Sequence, residues 1–265
     1  MKRLVFFLLF ACSASPLLAT TRYINKSGSN SNSCATSTSS TDSNAKLTFT
    51  GVNGAIACMA SGDTLMVGNG AYAESLINII PAGAMGTPTI IQAETPGLAY
   101  LEPLASTGGF GVVSVNASYV KVDGLGIDGT STGGDATGIY INEASFCAVT
   151  NFTFTNGFVR DFLDTDFGIG IDFQTNDEGA HPGTECVSSH TILSNEITNT
   201  YCYGIYVTTS GNTIDGNYIH DGAGICDGPF GSGTSYGIHL FHDQSANIIR
   251  NNIVLNYQFG ILAGA

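Results

Sequence analysis

Residues 192–219 read ILSNEITNTYCYGIYVTTSGNTIDGNYI, and this stretch holds the pattern that decides the fold. An apolar residue, two residues, Asn, one residue and a second apolar residue begin at Ile192 and return 22 residues later at Ile214. Between the two copies lies the pair Gly204-Ile205, inside a run of strand-forming residues. A repeat of this length accommodates three short strands and three turns, since each strand residue advances the chain by about 3.3 Å. The stretch therefore predicts one turn of a coil built from β-strands.

The same pattern recurs from Val122 onward. Its five copies are Val122/Leu125/Ile127, Val149/Phe152/Phe154, Ile192/Asn195/Ile197, Ile214/Asn217/Ile219 and Ile249/Asn252/Val254. A Gly-apolar pair follows each copy, at Gly138-Ile139, Gly168-Ile169, Gly204-Ile205, Gly237-Ile238 and Gly260-Ile261. One copy cannot bury its apolar face alone, so successive copies must stack. The repeat predicts an all-β protein, a right-handed parallel β-helix of three-strand coils, with a ladder of hydrogen-bonded Asn side chains at one turn. The Gly, Asn and β-branched residues fit a helical solenoid poorly, and a β-sandwich would show a steadier alternation.

The chain divides into a lead-in at residues 20–60 and coils at residues 61–265. Apolar residues at near-helical spacing between Thr48 and Met59 predict a short N-terminal helical cap over the open end of the coil. Residues 259–265 look like the strand of a further coil. A bare coil end would expose strand edges, so we expect the coils to continue beyond this sequence.

The N-terminus and the cysteines predict export. Residues 1–19 combine a basic start, a short apolar run and a small-residue exit, which is typical of a secretory signal peptide. Lipoprotein-type cleavage at Cys12 is the less favoured alternative. The other six cysteines form an even set, as expected for disulfides in an oxidising space, and we predict only the pair Cys34–Cys58. The predicted location is secreted, periplasmic or cell-surface, and no later stretch is long and apolar enough to predict a transmembrane helix.

The net charge limits the classes of molecule that the protein is expected to bind. Eight Lys and Arg stand against 21 Asp and Glu, for a formal net charge of −13. Nucleic acid is a poor partner, because affinity for phosphates comes from basic side chains. A polyanionic sugar would also be repelled unless a cation such as calcium bridged it to the protein. We expect a monomer whose partner is an extracellular polysaccharide.

The first coil carries a resemblance to a known group of proteins. It begins with Gly62-Asp63-Thr64 and continues to Gly70-Ala71-Tyr72. Here the chain resembles the pectate-lyase-like superfamily of bacterial right-handed β-helix proteins, whose first turn often reads as a Gly-Asp-Thr strand followed by a Gly-x-Tyr strand. The resemblance covers nearly all of residues 22–265 and implies the fold. It implies less about activity, because the sequence lacks the catalytic motifs of the known enzymes with this fold. Missing are the Arg-x-Pro of pectate lyases, the Lys of chondroitinase-B-type lyases, the Asp-Pro-His-Glu of mannuronan epimerases and the Asn-Thr-Asp of polygalacturonase-type hydrolases.

The Gly-apolar strands predict which side chains point outward. Side chains alternate across a strand, so two outward rows follow: Tyr140, Gly170, Tyr206, His239 and Leu262 in one, and Asn142, Asp172, Thr208, Phe241 and Gly264 in the other. Successive rungs should lie about 4.8 Å apart. We expect both rows to be exposed and the long inserted loops to wall a groove over them.

These rows and loops supply the candidate functional residues. An imidazole, a phenol and a carboxylate on one face can transfer protons, and the candidate catalytic residues are Asp172, Tyr206, His239 and Arg160. The candidate substrate-binding residues are Tyr140, Asn142, Thr208, Phe241 and His220. Calcium takes several oxygen ligands, and the candidate calcium ligands are Asp161, Asp164 and Asp166.

Three functions are compatible with these residues. The leading hypothesis is a secreted, polysaccharide-lyase-like protein that binds a long glycan and cleaves it by β-elimination, with uronic-acid polymers as the candidate substrates. A glycoside hydrolase needs two carboxylates, for which Asp172 with Asp164 or Asp166 could serve. A non-enzymatic surface or matrix protein would use the same face for adhesion. The simplest alternative is that the Asp side chains are solvated charges on loops and that Tyr206 and His239 are surface residues without a function.

Overall fold

The computed structural model describes residues 19–105, 111–132, 137–143, 147–163, 168–175, 186–222, 224, 233–241 and 245–264. The predicted signal peptide lies outside these ranges apart from Ala19, and it stays a prediction. None of the helices in the described part of the chain is both long enough and apolar enough to cross a membrane.

The described strands, numbered in chain order, form three parallel sheets. Sheet A stacks β1 (Thr21–Ile24), β2 (Thr64–Val67), β5 (Thr89–Ala93), β8 (Val120–Asp123), β11 (Thr153–Thr155), β14 (Thr191–Leu193), β17 (Thr213–Asp215) and β20 (Ile248–Arg250). Sheet B stacks β3 (Gly70–Tyr72), β6 (Ala99–Leu101), β9 (Gly126–Asp128), β12 (Phe158–Phe162), β15 (Glu196–Thr200), β18 (Tyr218–His220) and β21 (Ile253–Leu255). Sheet C stacks β4 (Leu76–Ile77), β7 (Gly111–Val115), β10 (Thr137–Glu143), β13 (Ile169–Thr175), β16 (Tyr203–Val207), β19 (Tyr236–Leu240) and β22 (Phe259–Ala263). Each coil runs from sheet A to B to C, and this is the predicted parallel β-helix.

The apolar residues of the repeat stack inside the tube, one above another. Three rows of Cα partners show this: Ile139, Ile171, Ile205, Ile238 and Ile261 in sheet C; Val122, Phe154, Ile192, Ile214 and Ile249 in sheet A; and Ile127, Val159, Ile197, Ile219 and Val254 in sheet B. Nearly all of these side chains belong to or pack against one continuous core. Burial of this apolar surface drives the stacking.

In the middle coils the glycine before the inward-facing isoleucine has a steric role. A Cβ atom built at Gly138, Gly170 or Gly204 would lie 2.5 Å from the carbonyl oxygen of the matching glycine in the next coil. No real Cβ tolerates that approach, so only glycine lets the coils close to hydrogen-bonding distance at this point.

The predicted Asn ladder is present at the turn between sheets A and B. The Asn252 Oδ1 accepts the Asn217 N–H at 2.9 Å, the Asn217 Oδ1 accepts the Asn195 N–H at 3.0 Å, and the Asn195 Oδ1 accepts the Gly157 N–H at 3.0 Å. The ladder thus satisfies turn amides that would otherwise be buried unpaired. The alignment of Phe152 with Asn195 is wrong, because Gly157 occupies that rung.

A second ladder, which sequence reasoning missed, contains Phe152. The His190 Nδ1 accepts the Phe152 N–H at 3.2 Å, the Asn212 Oδ1 accepts the His190 N–H at 2.9 Å, and the Asn247 Oδ1 accepts the Asn212 N–H at 2.8 Å. His190 is buried, and this burial lowers the pKa of its imidazole to about 3. The neutral ring therefore replaces an Asn side chain as the acceptor of its rung.

The segment before the coils differs from the prediction. Instead of a helix between Thr48 and Met59, the structure forms a single 3-10 turn there at Ile56–Cys58, after others at Thr36–Thr38 and Asp42–Asn44. Gly51 has a φ of +84°, a left-handed conformation that a right-handed helix does not contain. The predicted Cys34–Cys58 disulfide is confirmed, and a Cys147–Cys186 disulfide is also present.

Candidate functional site

The central feature of sheet C is a row of polar and aromatic side chains on adjacent rungs. Tyr140, Asp172, Tyr206, His239 and Leu262 are successive Cα partners. The predicted adjacency of Tyr206 and His239 is confirmed. Asp172 was expected in the parallel row, and it lies instead between Tyr140 and Tyr206.

The reason for this difference is a duplicated signal in the sequence. The pair Gly-Ile occurs twice in succession, at Gly168-Ile169 and at Gly170-Ile171. The structure pairs Ile171, not Ile169, with Ile139 and Ile205. The shift of two residues preserves which side chains face outward, so the alternation alone does not distinguish the two alignments.

The expected exposure of this row is wrong at its centre. Only 5% of Asp172, 5% of Tyr206 and 3% of His239 is accessible to solvent. Tyr140 and Phe241 are half-buried. Thr208 of the second row is buried, and its hydroxyl donates to the Phe173 carbonyl at 2.8 Å. The side chain of Asn142 lies outside the described residues.

A stack of aromatic rings packs beside the row and was missed from the sequence. Tyr203, Tyr236 and Phe259 are successive Cα partners, with ring centroids 5.4 and 5.3 Å apart and nearly parallel planes. The His239 ring is also nearly parallel to Tyr236, at 4.7 Å. The signal was present, because an aromatic residue precedes the repeat glycine at these three positions. Tyr203, Tyr206 and Tyr236 belong to a buried apolar layer that is separate from the core of the tube, whereas Phe259 is 46% exposed.

Burial changes the proton affinity of this layer. The pKa of Tyr203 is raised to about 12, first by burial and then by the nearby Tyr236 and the charge of Asp172. The Tyr203 phenol is therefore neutral near pH 7 and keeps its proton. A neutral phenol and an imidazole in a nearly water-free layer can hold and move protons, which is the chemistry that the row was expected to supply.

Arg160 lies on a different sheet from this row. It belongs to β12 of sheet B, where its Nε and Nη2 donate to the Asp128 Oδ2 at 2.8 and 2.6 Å. Burial opposes ionisation of Asp128, but hydrogen bonds from Thr130 and Arg160 outweigh it and lower the Asp128 pKa. The guanidinium also lies 4.7 Å from the Phe158 ring centroid.

His220 also lies on sheet B. Its Nε2 is 3.0 Å from the Glu196 Oε1, and its Nδ1 is 2.7 Å from the Asp221 Oδ2. Burial opposes its protonation, but the hydrogen bonds with Asp221 and then Glu196 outweigh it and raise the His220 pKa. The Tyr218 ring stacks on the imidazole with centroids 4.0 Å apart. The structure therefore brings Asp172, Tyr206 and His239 together and places Arg160 and His220 on another face.

The calcium prediction depends on residues that are not described. Asp164 and Asp166 lie outside the described ranges. Asp161 has a φ of +63°, accepts a hydrogen bond from the Asn199 amide and lies 3.6 Å from the Arg160 Nε. Its carboxylate is thus already occupied by an amide of the next coil and by a cation. In the described ranges, no group of three His, Cys, Asp or Glu side chains is arranged to hold a metal ion. Calcium stays a prediction.

Comparisons with known proteins agree with this geometry at the level of the fold. Residues 137–264 match the family model described as "Right handed beta helix region". The crystal structure of pectate lyase Pel9A aligns with a TM-score of 0.51 and 12% identity, over 93% of this chain and 79% of that one. An alginate lyase from Paenibacillus sp. str. FPU-7 aligns with a TM-score of 0.49 and 16% identity, over 74% of this chain and 73% of that one. No curated protein matches the chain in sequence.

The chain is therefore a right-handed parallel β-helix protein. Its fold is pectate-lyase-like, as the first coil predicted.

Proposed function

We propose that the chain is an extracellular, carbohydrate-active protein that cleaves a uronic-acid polysaccharide by β-elimination at the outer face of sheet C. The observation that carries the proposal is the register that makes Asp172, Tyr206 and His239 successive rungs of one row. The pectate-lyase-like fold supports it, as do the disulfides, which suit an oxidising space.

The proposed reaction assigns a role to each member of the row. The His239 imidazole removes the proton on the carbon beside the sugar carboxylate. The electrons of that C–H bond form a C=C bond, the neighbouring C–O bond breaks, and the leaving oxygen takes a proton from the Tyr206 phenol. Asp172 lies on the rung next to Tyr206, and its role is to contribute negative charge to the layer beside the proposed acid. The glycan would enter at Tyr140 and Phe241, which are half-buried. Because Tyr206 and His239 are at most 5% exposed in the free chain, the rings that cover them must separate for the sugar to reach them.

The test is incubation of the full chain with polygalacturonate, alginate, chondroitin and neutral glycans, with and without a chelator. Elimination predicts new near-ultraviolet absorbance from unsaturated ends with at least one polyuronate. His239→Gln and Tyr206→Phe should each lower the rate by about 100-fold or more, while the sheet A control Leu193→Ala should not. Absence of this absorbance with every polyuronate would refute the lyase assignment. Reducing ends without absorbance would favour the hydrolase, whose partner acids Asp164 and Asp166 are not described.

A second candidate is a glycan-binding protein without catalytic activity. The burial of Asp172, Tyr206 and His239 favours it, because packed side chains stabilise a layer without any need for turnover. Retention of a glycan without any cleavage product, unchanged by His239→Gln, is the result that this candidate predicts.

A further inference from the structure

The outer face of sheet B carries a second set of aromatic and ionic side chains. Tyr100, Gly126, Phe158, Glu196 and Tyr218 are successive Cα partners in one row. The row beside it contains Asp128, Arg160, Thr198 and His220. In-register stacking of the coils places these side chains in line along the axis, but neither the fold nor the proposed elimination explains their aromatic and ionic character.

Aromatic rings lie at two places along this face: the Tyr100–Phe158 pair and Tyr218. At Gly126 a Cβ atom would come within 2.2 Å of the Phe158 ring, so the glycine lets Phe158 approach Tyr100 with ring centroids 6.1 Å apart. Phe158 and Tyr218 are two rungs apart, which corresponds to roughly 10 Å along the axis. Glu196 lies between them with 54% of its side chain exposed. The face thus presents ring, carboxylate and ring in sequence.

The two aromatic positions are held in place before any ligand binds. The Arg160 guanidinium covers Phe158 and is itself fixed by Asp128. Tyr218 stacks on His220, and the His220 ring is held between Glu196 and Asp221. Side chains already fixed in one geometry lose little conformational entropy on binding.

The charge of this face selects the partner. The carboxylates of Asp128, Asp161, Glu196 and Asp221 outnumber the cationic groups of Arg160 and His220. A uronic-acid polymer would be repelled, whereas the hydroxyls of a neutral sugar can donate to Glu196 and Asp221, which are more than half exposed. The apolar faces of sugar rings pack against aromatic rings.

We infer that the outer face of sheet B, from Tyr100 to Tyr218, is a binding surface for a neutral polysaccharide that lies along the solenoid axis. It is separate from the row on sheet C. It would hold the protein on a neutral glycan in the matrix that also contains its proposed substrate.

The inference is tested by affinity electrophoresis of the full chain in gels that contain a soluble neutral β-glucan, xylan or mannan, or polygalacturonate. Wild type should be retarded by a neutral glycan through sheet B, and any retardation by polygalacturonate should be equal in wild type and Tyr218→Ala, because it would come from the sheet C site. Tyr218→Ala and Phe158→Ala should each weaken the retardation by neutral glycan by about tenfold, while Tyr218→Phe retains it and Leu193→Ala, on sheet A, leaves it unchanged.

Two further variants separate this surface from the fold and from the sheet C site. Glu196→Gln removes one negative charge from sheet B and should increase the retardation by polygalacturonate relative to wild type, which loss of folding would not cause. His239→Gln should leave the retardation by neutral glycan intact, so failure of the elimination assay does not decide this test. Wild-type mobility unaffected by every neutral glycan, or equal retardation of Tyr218→Ala and wild type by a neutral glycan, would overturn the inference.

Discussion

The outer faces of sheets C and B have the same backbone geometry and different surroundings. On sheet C the outward side chains of Tyr206 and His239 are at most 5% exposed and pack among stacked rings. On sheet B the outward-facing Tyr218 is 40% exposed. Its neighbour His220 is held by the carboxylates of Glu196 and Asp221, which are exposed to solvent. In a β-helix, a side chain that points away from the core can still be buried. Orientation follows from the strand, whereas exposure depends on what packs over it.

The largest expected effect comes from His190, which is buried in the core of the tube and belongs to neither face. His190 has a pKa of about 3 in the folded chain and an ordinary value near 6.5 when unfolded. Since the unfolded chain takes up this proton first, stability should be unaffected above pH 6.5 and fall as the pH drops toward 3, by up to about 5 kcal/mol. Denaturant unfolding over that range measures the loss. In His190→Asn, whose amide matches Asn212 and Asn247, this part of the acid sensitivity should disappear, and an unchanged pH slope would refute the assignment.

The next effect compares one tyrosine on each face. Tyr206→Ala removes a buried ring from the sheet C layer and should lower the free energy of unfolding by about 3–5 kcal/mol. Tyr218→Ala removes a partly exposed ring from sheet B and should cost roughly 1 kcal/mol or less. Denaturant titration of both variants gives the two values. Equal losses would show that the two faces are not packed differently.

A smaller effect should come from the ion pair on sheet B. Arg160→Ala leaves the nearly buried Asp128 without two of its hydrogen bonds, which should cost about 1–3 kcal/mol and raise the Asp128 pKa. Arg160→Lys should restore only part of the loss, because Lys cannot reproduce the two donors of the guanidinium. Thermal unfolding at neutral pH makes the comparison, and full recovery with Lys would contradict the role given to this geometry.

The smallest effect is the titration of His220. Its pKa should lie above 6.5 in NMR titration, and Glu196→Gln or Asp221→Asn should each lower it. Because the folded pKa is raised, the small stabilisation is present below pH 6.5 and is lost as the pH rises through the folded value. A His220 pKa below 6.5 in the wild type would contradict the pairing of its imidazole with Asp221 and Glu196.

The sequence was sufficient for the fold because stacking repeats the same restrictions in every coil. The Gly-Ile pair, the Asn rung and the apolar rows each have a steric or hydrogen-bonding cause that a single sequence displays. The predicted alignment of the coils was wrong where the sequence allowed two equivalent registers. This happened at Gly168-Ile169-Gly170-Ile171, and at Phe152 and Phe154, which are both buried and apolar.

The site was less predictable, because exposure is not a property of the strand. Alternation correctly placed Tyr206 beside His239, but nothing in the strand shows that the row is covered. The aromatic partners Tyr203 and Tyr236 precede the glycines and were read only as parts of the strand. Arg160 and Asp161 were grouped with Asp172 because they are near it in the chain, whereas the turn at Asp161 leaves Arg160 on sheet B.

The difference between the two faces is tested most directly by chemical nitration of tyrosines in the folded protein, with the modified positions read by peptide mass spectrometry. We expect Tyr218 to be modified readily and Tyr206 to react only after unfolding. Modification of Tyr206 in the folded protein at the rate of Tyr218 would contradict the closed layer on sheet C and the distinction between the two faces.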